Sequence, residues 1–399
     1  MSEIITLLEY SLWIYFIFTT AYALVFAIGG FIIPIKLKPA KIEKNHTICV
    51  FIPAYKEDFV ILPVAAEALK QNYPKDKFRI VIVADSLKAE TLTNLRKLDI
   101  EVIEVSFEKS TKVKALQVAL NQLNSSFDIA VILDADNVME PDFLSKINDT
   151  YSRGYKVIQA QRVAKNMNTS FAILDSLSEK INNHIYRKGH SALGFSCSLI
   201  GSGMAFDYSI FKETILDMDS VGGFDREMEV KLLIKGYKSI YLEKAIVYDE
   251  KIDKVENFGK QRTRWISSQF IYLKKYFYKG FASLFKGDLV LFNSTVLRNI
   301  HLPRLINLGL LFILTAIHLV FYRYQPTFAN VWITLLLAYL ASFVLSIHYT
   351  FYDRKFLLAL LSVPVAFLEM SKSFLKLRNA NKTFIHTPHS HTDVETKKQ

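Results

Sequence analysis

Three stretches of the chain carry no Asp, Glu, Lys or Arg: residues 10–35, 305–322 and 324–352. A helix of about 20 apolar residues crosses a hydrocarbon core ~30 Å thick, so each stretch is read as a membrane span. That reading fixes the plan before any motif is considered. An anchor occupies 1–36, a domain of ordinary soluble composition fills 45–260, interfacial helices follow over 261–304, and two further spans occupy 305–352. The first stretch is not expected to be a cleaved leader. It is too long for such an apolar region, acidic Glu3 and Glu9 precede it, and it ends in Ile-Pro-Ile-Lys rather than in small residues.

Basic residues orient the chain. Lys36, Lys38, Lys41 and Lys44 follow the first span, Arg298 and Arg304 precede the second, and Arg354 and Lys355 follow the third. Arg323 is the only charge in the outer turn. Positive charge stays on the cytoplasmic side, which predicts a multi-pass protein of the inner (plasma) membrane with its central domain in the cytoplasm. Residues 356–368 form an uncharged run of only 13 residues that contains Pro364. This run is expected to be interfacial, re-entrant or a short fourth span within 353–399, with the basic tail (Lys372, Lys376, Arg378, Lys382) on an anionic leaflet.

The net charge of +11 would suit nucleic acid, but much of the excess lies beside the apolar runs. Membrane lipids are therefore the expected counterpart, and nucleic acid is not. Two cysteines, Cys49 and Cys197, imply neither a disulfide framework nor a CxxC metal site.

Within the central domain, strand and helix patterns alternate. HTICVFIPAY (46–55), FRIVIVADS (78–86), IEVIEVSF (100–107) and DIAVILDADN (128–137) read as buried strands. VILPVAAEAL (60–69) and STKVKALQVALNQL (110–123) have helical spacing. The alternation predicts an α/β domain with a doubly wound, mostly parallel sheet, which binds ligands beyond the carboxyl ends of its strands. Tyr55, Glu57, Asp85, Asp134 and Asp136 cluster at those ends.

Each candidate site has a plain structural reading beside the chemical one. Asp134-Ala135-Asp136 can converge on a hard divalent cation such as Mg²⁺ or Mn²⁺ that bridges to a diphosphate; it can also be a turn that caps the next helix. Asp85 can accept hydrogen bonds from a base or ribose, or simply end a turn. Lys112 can hold phosphate or stand in a solvated first turn. Gly201-Ser202-Gly203 lets a ligand approach the backbone closely, or bends a strand. Asp225, Glu227 and Glu229 open a helix after Gly222-Gly223, where acids suit the helix dipole and where one could serve as a general base. In QRTRW (261–265), an arginine fork matches a diphosphate and a tryptophan face matches a sugar ring. The same stretch also fits an amphipathic helix at a lipid surface.

Taken together, these motifs resemble the family 2 glycosyltransferases of GT-A fold, in particular the membrane-embedded processive branch of cellulose, chitin and hyaluronan synthases. PAYKE (53–57), Asp85, TKVKALQ (111–117), DAD (134–136), GSGM (201–204) and QRTRW (261–265) follow the family's order, with Gln117 in place of an Asn. FIHTPH (384–389) is similar to a late Phe-x-x-Thr-Pro segment. The resemblance implies an inverting transferase that uses a UDP-sugar and Mg²⁺ or Mn²⁺ to extend a β-linked polysaccharide of capsule or exopolysaccharide type. A single-sugar transfer to a lipid or lipid-linked glycan is the alternative. It further implies donor contacts from Pro53, Tyr55, Glu57, Asp85, Lys112, Asp134, Gly201, Ser202, Gly203, Gln261 and Arg264, a cation on Asp136 and Asp134, and an acceptor platform at Trp265. The base motif departs from the family pattern. Counting back from Gly236-Tyr237 selects Asp225, whereas matching the local acidic pattern selects Glu227. So few spans would make a narrow monomeric channel, which leaves a homo-oligomer, other biosynthetic subunits or a lipid-linked acceptor as ways to complete the system.

Overall fold

The computed structural model describes residues 2–40, 44–123, 126–220, 222–253 and 255–375. Lys41, the tail residues Lys376, Arg378 and Lys382, and the segment 384–389 lie outside them.

The central domain is built on one sheet of eight strands: β1 (Ile48–Tyr55), β2 (Phe78–Asp85), β3 (Glu101–Val105), β4 (Ile129–Ile132), β5 (Val138–Met139), β6 (Val157–Ala164), β7 (Met204–Asp207) and β8 (Ile240–Asp249). Their spatial order is β3-β2-β1-β4-β7-β6-β8-β5. β1 to β4 run parallel, as the alternating pattern predicts. β1, β2 and β4 are nearly continuous apolar runs because helices cover both faces. One face packs Ile48, Val50 and Ile52 against Ile61, Val64 and Ala65 of the helix Ile61–Ala68. The other packs Cys49 and Phe51 against Val113, Leu116 and Leu120 of the helix Lys112–Gln122.

The second half departs from the mostly parallel expectation. β7 is antiparallel to both β4 and β6, and β5 is antiparallel to β8. The reversals have a consequence for the site. In an all-parallel sheet every carboxyl end lies on one edge. Pairing Ile132 with Met204 brings the start of β7, and so the Gly201–Gly203 loop, to the same edge as the end of β4. Pairing Val138 with Tyr248 brings the end of β8 beside Asp136.

Among the described residues two helices are long and apolar enough to cross a membrane: the N-terminal helix, over Thr6–Ile32, and Pro326–Ser346. The stretch 305–322 does not yield a third of that length. Its helix, Arg304–Val320, has 17 residues and breaks at the turn that carries Tyr322 and Arg323. The run around Pro364 forms a broken pair, Arg354–Leu360 and Val363–Leu375, bent by 48°. The expected interfacial helices over 261–304 are instead dominated by one helix of 31 residues, Val255–Phe285, which begins before the QRTRW motif.

The N-terminal helix is docked on the rest of the chain. A Cβ on Gly189 would lie 2.1 Å from the Phe26 carbonyl oxygen, so only glycine allows the two segments to touch backbone to backbone. The Tyr22 hydroxyl donates to Asn293 Oδ1 at 2.8 Å and lies 3.0 Å from His190 Nε2. Glu9, inside an apolar helix, accepts from Trp332 Nε1 at 2.6 Å and faces His318 at 3.3 Å.

Candidate active site

The strand ends are shaped by two non-glycine residues in the left-handed region, Lys56 (φ 56) and Ser86 (φ 59). Such conformations cost on the order of 1–3 kcal/mol and are held by their surroundings. Here the Lys56 amide donates to the Asp85 carbonyl at 3.0 Å, which ties the exits of β1 and β2 together. Asp85 is buried, and its carboxylate accepts from the hydroxyls of Ser86 and Ser110.

Asp134 and Asp136 lie in the turn between β4 and β5, just past the end of the strand. Lys112 Nζ binds the Asp134 carboxylate and donates to the Gly201 carbonyl at 2.8 Å, so one lysine joins the DAD turn to the glycine loop. Asp136 Oδ2 accepts from the Glu250 amide at 2.7 Å, and the buried Lys165 donates to its carbonyl at 2.9 Å. In the loop, Gly201 (φ 83) and Gly203 (φ 60) are left-handed. Gln159 Nε2 donates to the carbonyls of Ser202 and Gly203 at 3.0 and 3.2 Å.

Asp225 and Glu227 share the first turn of the helix Phe224–Ile234 but face different surroundings. A Cβ on Gly201 would lie 4.0 Å from Asp225 Oδ2, so Asp225 stands over the glycine loop. Glu227 is turned away. It is buried, and it accepts from Lys275 at 2.7 Å, from Tyr272 at 3.3 Å and from Ser220. Burial pushes its carboxyl up, but the hydrogen bonds from Lys275 and Ser220 outweigh that and hold it below the ordinary value.

From the far side, the helix Val255–Phe285 presents Gln261, Arg264 and Trp265. Burial lowers the Arg264 guanidinium from its ordinary value, while the carboxylates of Asp134 and Asp225 act against that, and all three residues line the same cavity. Gln261 Oε1 is buried with no partner among the described residues. Arg262, the other arginine of the motif, stacks over the Trp265 ring at 4.5 Å and binds Asp175.

Of the residues expected from sequence to form the site, all except Glu227, Ser202 and Gly203 line one cavity of about 940 Å³. Pro53, Tyr55, Glu57, Asp85, Lys112, Asp134, Asp136, Gly201, Asp225, Gln261, Arg264 and Trp265 share its wall. Gln117 does not; its amide donates to the carbonyls of Ile215 and Met218 and fastens two segments.

The donor set suits a hard divalent cation that takes only part of its coordination from protein. Among the described residues no group of three or more His, Cys, Asp or Glu gathers closely enough for a full cage. Mg²⁺ and similar ions commonly use one or two carboxylates and complete their shell with phosphates and water, which fits Asp134 and Asp136.

An ion cluster that sequence reading missed lines the same cavity as the DAD turn. Arg162 and Arg187 donate to Glu179 at 2.9 and 2.8 Å, and Lys251 lies 2.8 Å from Asp249. Burial opposes the Glu179 charge, but Arg162, Arg187 and Lys251 hold its carboxyl far down. Burial pushes Asp249 up against the pull of Lys251 and Arg162. The only sequence signals were single charges in apolar segments, such as Arg162 in VIQAQRVA.

A strand-end acid, a DAD turn, a glycine loop and an acid-led helix on one cleft define a nucleotide-sugar transferase type of site. Comparison with known proteins agrees. Residues 46–268, more than half of the chain, match the family described as glycosyltransferase like family 2, and the chain belongs to that family. It is 27% identical over 215 residues to the dolichyl N-acetyl-alpha-D-glucosaminyl phosphate 3-beta-D-2,3-diacetamido-2,3-dideoxy-beta-D-glucuronosyltransferase of Methanococcus voltae, covering 50% of this chain and 65% of that protein. It is 25% identical over 243 residues to the protein named probable glycosyltransferase YdaM of Bacillus subtilis (strain 168), covering 57% of this chain and 56% of that one. The matched region spans less than two thirds of either relative. Among solved structures, the mannosyltransferase PcManGT from Pyrobaculum calidifontis, in complex with GDP-Man and Mn²⁺, superposes with a TM-score of 0.52 at 15% identity. That superposition covers 84% of this chain and 99% of that one. At that identity the likeness is one of fold, the GT-A-like mixed sheet.

Proposed function

We propose that the chain is an inverting glycosyltransferase that takes a nucleoside-diphosphate sugar, a UDP-sugar by motif, and joins it to an acceptor at the membrane face. The observation that carries this is the single cavity shared by Asp85, the DAD turn, Gly201, Asp225 and the Gln261–Arg264–Trp265 face. Asp85 receives the nucleoside. Asp134 and Asp136 would hold Mg²⁺ or Mn²⁺, which when bound neutralises the leaving diphosphate. Arg264 and Gln261 stabilise the same charge from across the cleft, and Lys112 keeps Asp134 and the glycine loop in register. Asp225 removes the proton from the acceptor hydroxyl, which attacks opposite the diphosphate and inverts the anomeric carbon. Its position over the glycine loop favours Asp225 over Glu227, whose carboxylate is engaged by Lys275, Tyr272 and Ser220.

Two acceptor readings follow. Trp265 as a sugar platform supports stepwise extension of a β-linked polysaccharide. The apolar inner lining of the cavity supports addition of one sugar to a lipid-linked glycan, as does a relative named for a dolichyl phosphate-linked substrate. Multi-pass insertion with the catalytic domain in the cytoplasm, and assembly as a homo-oligomer or with other subunits, belong to the same proposal. Nucleotide release from a panel of UDP- and GDP-sugars with Mn²⁺ or Mg²⁺ tests it, with products sized by mass spectrometry. A ladder indicates extension and a single increment indicates one-step transfer. No metal-dependent release from any donor sinks the proposal.

A further inference from the structure

The cavity does not end at Trp265. It continues between Leu305 and Leu308 of the helix Arg304–Val320, Leu340 and Phe343 of the helix Pro326–Ser346, and Phe356 and Leu360 of the bent pair. This inner chamber is lined by apolar side chains of three apolar helical segments, of which Pro326–Ser346 is long enough to cross a membrane. Arg262 sits in the same helical turn as Gln261, Arg264 and Trp265, and Arg304 heads the apolar helix that carries Leu305 and Leu308. The two guanidiniums therefore mark where the polar wall gives way to the apolar one.

Their hydrogen bonding is incomplete. Arg304 Nη2 donates to the Ser178 carbonyl and hydroxyl at 3.0 and 3.2 Å, both neutral acceptors. Among the described residues Arg304 has no carboxylate within ion-pair range, although Arg162, Arg187, Arg262 and Arg298 each have one. Arg304 Nη1, Arg262 Nε and His301 Nε2 are buried without a partner among the described residues, and all three residues line the cavity. A guanidinium withdrawn from water with unfilled donors is costly unless an anion completes it. Arg262 and Arg304 reach the helix Ser170–Asn182 one turn apart, at Asp175 and Ser178. A tetrahedral phosphate can take donors from two such forks at once.

We propose that Arg304, with Arg262 and His301, forms a second phosphate subsite, distinct from the donor diphosphate site, that binds the head of a lipid phosphate whose hydrocarbon tail fills the apolar chamber. As the identity of the acceptor this rests on the transferase reading; as a binding site it does not. The two arginines of QRTRW then divide the work. Arg264 faces the donor, while Arg262 faces the lipid head and supports the Trp265 ring between them.

The test uses the full-length protein in detergent, with farnesyl monophosphate, farnesol and inorganic phosphate as probes, and follows thermal unfolding and competition binding. The proposal expects farnesyl monophosphate to bind at least tenfold more tightly than either farnesol or inorganic phosphate. Arg304→Gln should remove that advantage while leaving UDP–Mn²⁺ binding unchanged. Leu360→Trp, which narrows the chamber without touching an arginine, should weaken farnesyl monophosphate and farnesol alike, and it stands in if Arg304→Gln does not fold. Equal binding of inorganic phosphate and farnesyl monophosphate would make this a general anion site and overturn the proposal. So would an unaltered preference in Arg304→Gln, or in Leu360→Trp where that variant stands in. Loss of all UDP–Mn²⁺ binding alongside intact farnesyl monophosphate binding would instead refute the transferase reading alone.

Discussion

The two walls of the cavity hold charge in different ways. The wall made by the ends of β1, β2 and β4 carries its acids singly. Asp85 rests on two hydroxyls, and Asp134 rests on one lysine. The wall behind it, made by β6, β8 and the helix Ser170–Asn182, joins Arg162, Glu179, Arg187, Asp249 and Lys251 into one buried set. Singly held acids can exchange a partner for a ligand at little cost. A connected buried set cannot lose a member without stranding a charge. The first wall is therefore suited to chemistry and the second to holding the first in place.

The sharpest way to break this comparison is to remove an acid from each wall. Asp136→Ala should abolish metal-dependent donor binding and lower turnover by roughly 10³-fold, because it removes an anchor for charge neutralisation of the leaving group. Its unfolding temperature should change little beside that of the next variant. Isothermal titration with UDP and Mn²⁺ and a thermal melt read the two effects separately. Glu179→Gln should do the reverse. It leaves Arg162 and Arg187 without their shared carboxylate, a loss of about 3–5 kcal/mol for a broken buried pair, seen as a large drop in denaturation midpoint. A normal midpoint for Glu179→Gln would mean that the cluster is no foundation.

A smaller effect sharpens the contrast within one helix turn. Glu227 is held below its ordinary carboxyl value in the folded chain. Its contribution to stability is complete above the unfolded carboxyl value, about 4.3, and is lost as the pH falls through the lower folded value. Glu227→Gln should therefore be less stable than the parent at pH 7. The gap should narrow on acidification below about pH 4.3, as urea denaturation at both ends of that window would show.

Much of the first wall was legible in the sequence because its signals are local. β1, β2 and β4 are apolar runs that end in, or just before, the tyrosine or acid which faces the cleft, and β1 and β2 match the expected segments to within a few residues. The second half was not legible because its logic is long-range. β5 and β7 are two and four residues long, too short for a period to register, and their antiparallel pairing depends on where the chain returns. The Arg162–Glu179–Asp249 cluster spans nearly ninety positions with no motif. The run 305–322 was legible as an apolar helix but not in its length, because absence of charge counts residues without regard to where a helix breaks, and Tyr322 and Arg323 already belong to a turn. In QRTRW the motif was visible, but the separate surroundings of its two arginines were not, because they depend on Asp175, which binds Arg262 and which only the fold brings near.

The central claim is that Asp225 performs the proton transfer and Glu227 does not. The direct measurement is turnover of Asp225→Asn and Glu227→Gln with the best donor, alongside UDP–Mn²⁺ affinity for each. The account predicts that Asp225→Asn loses about 10²–10⁴-fold in turnover with nucleotide affinity retained, while Glu227→Gln keeps turnover within about tenfold of the parent. Near-normal turnover in Asp225→Asn, with the large loss falling on Glu227→Gln, would contradict it.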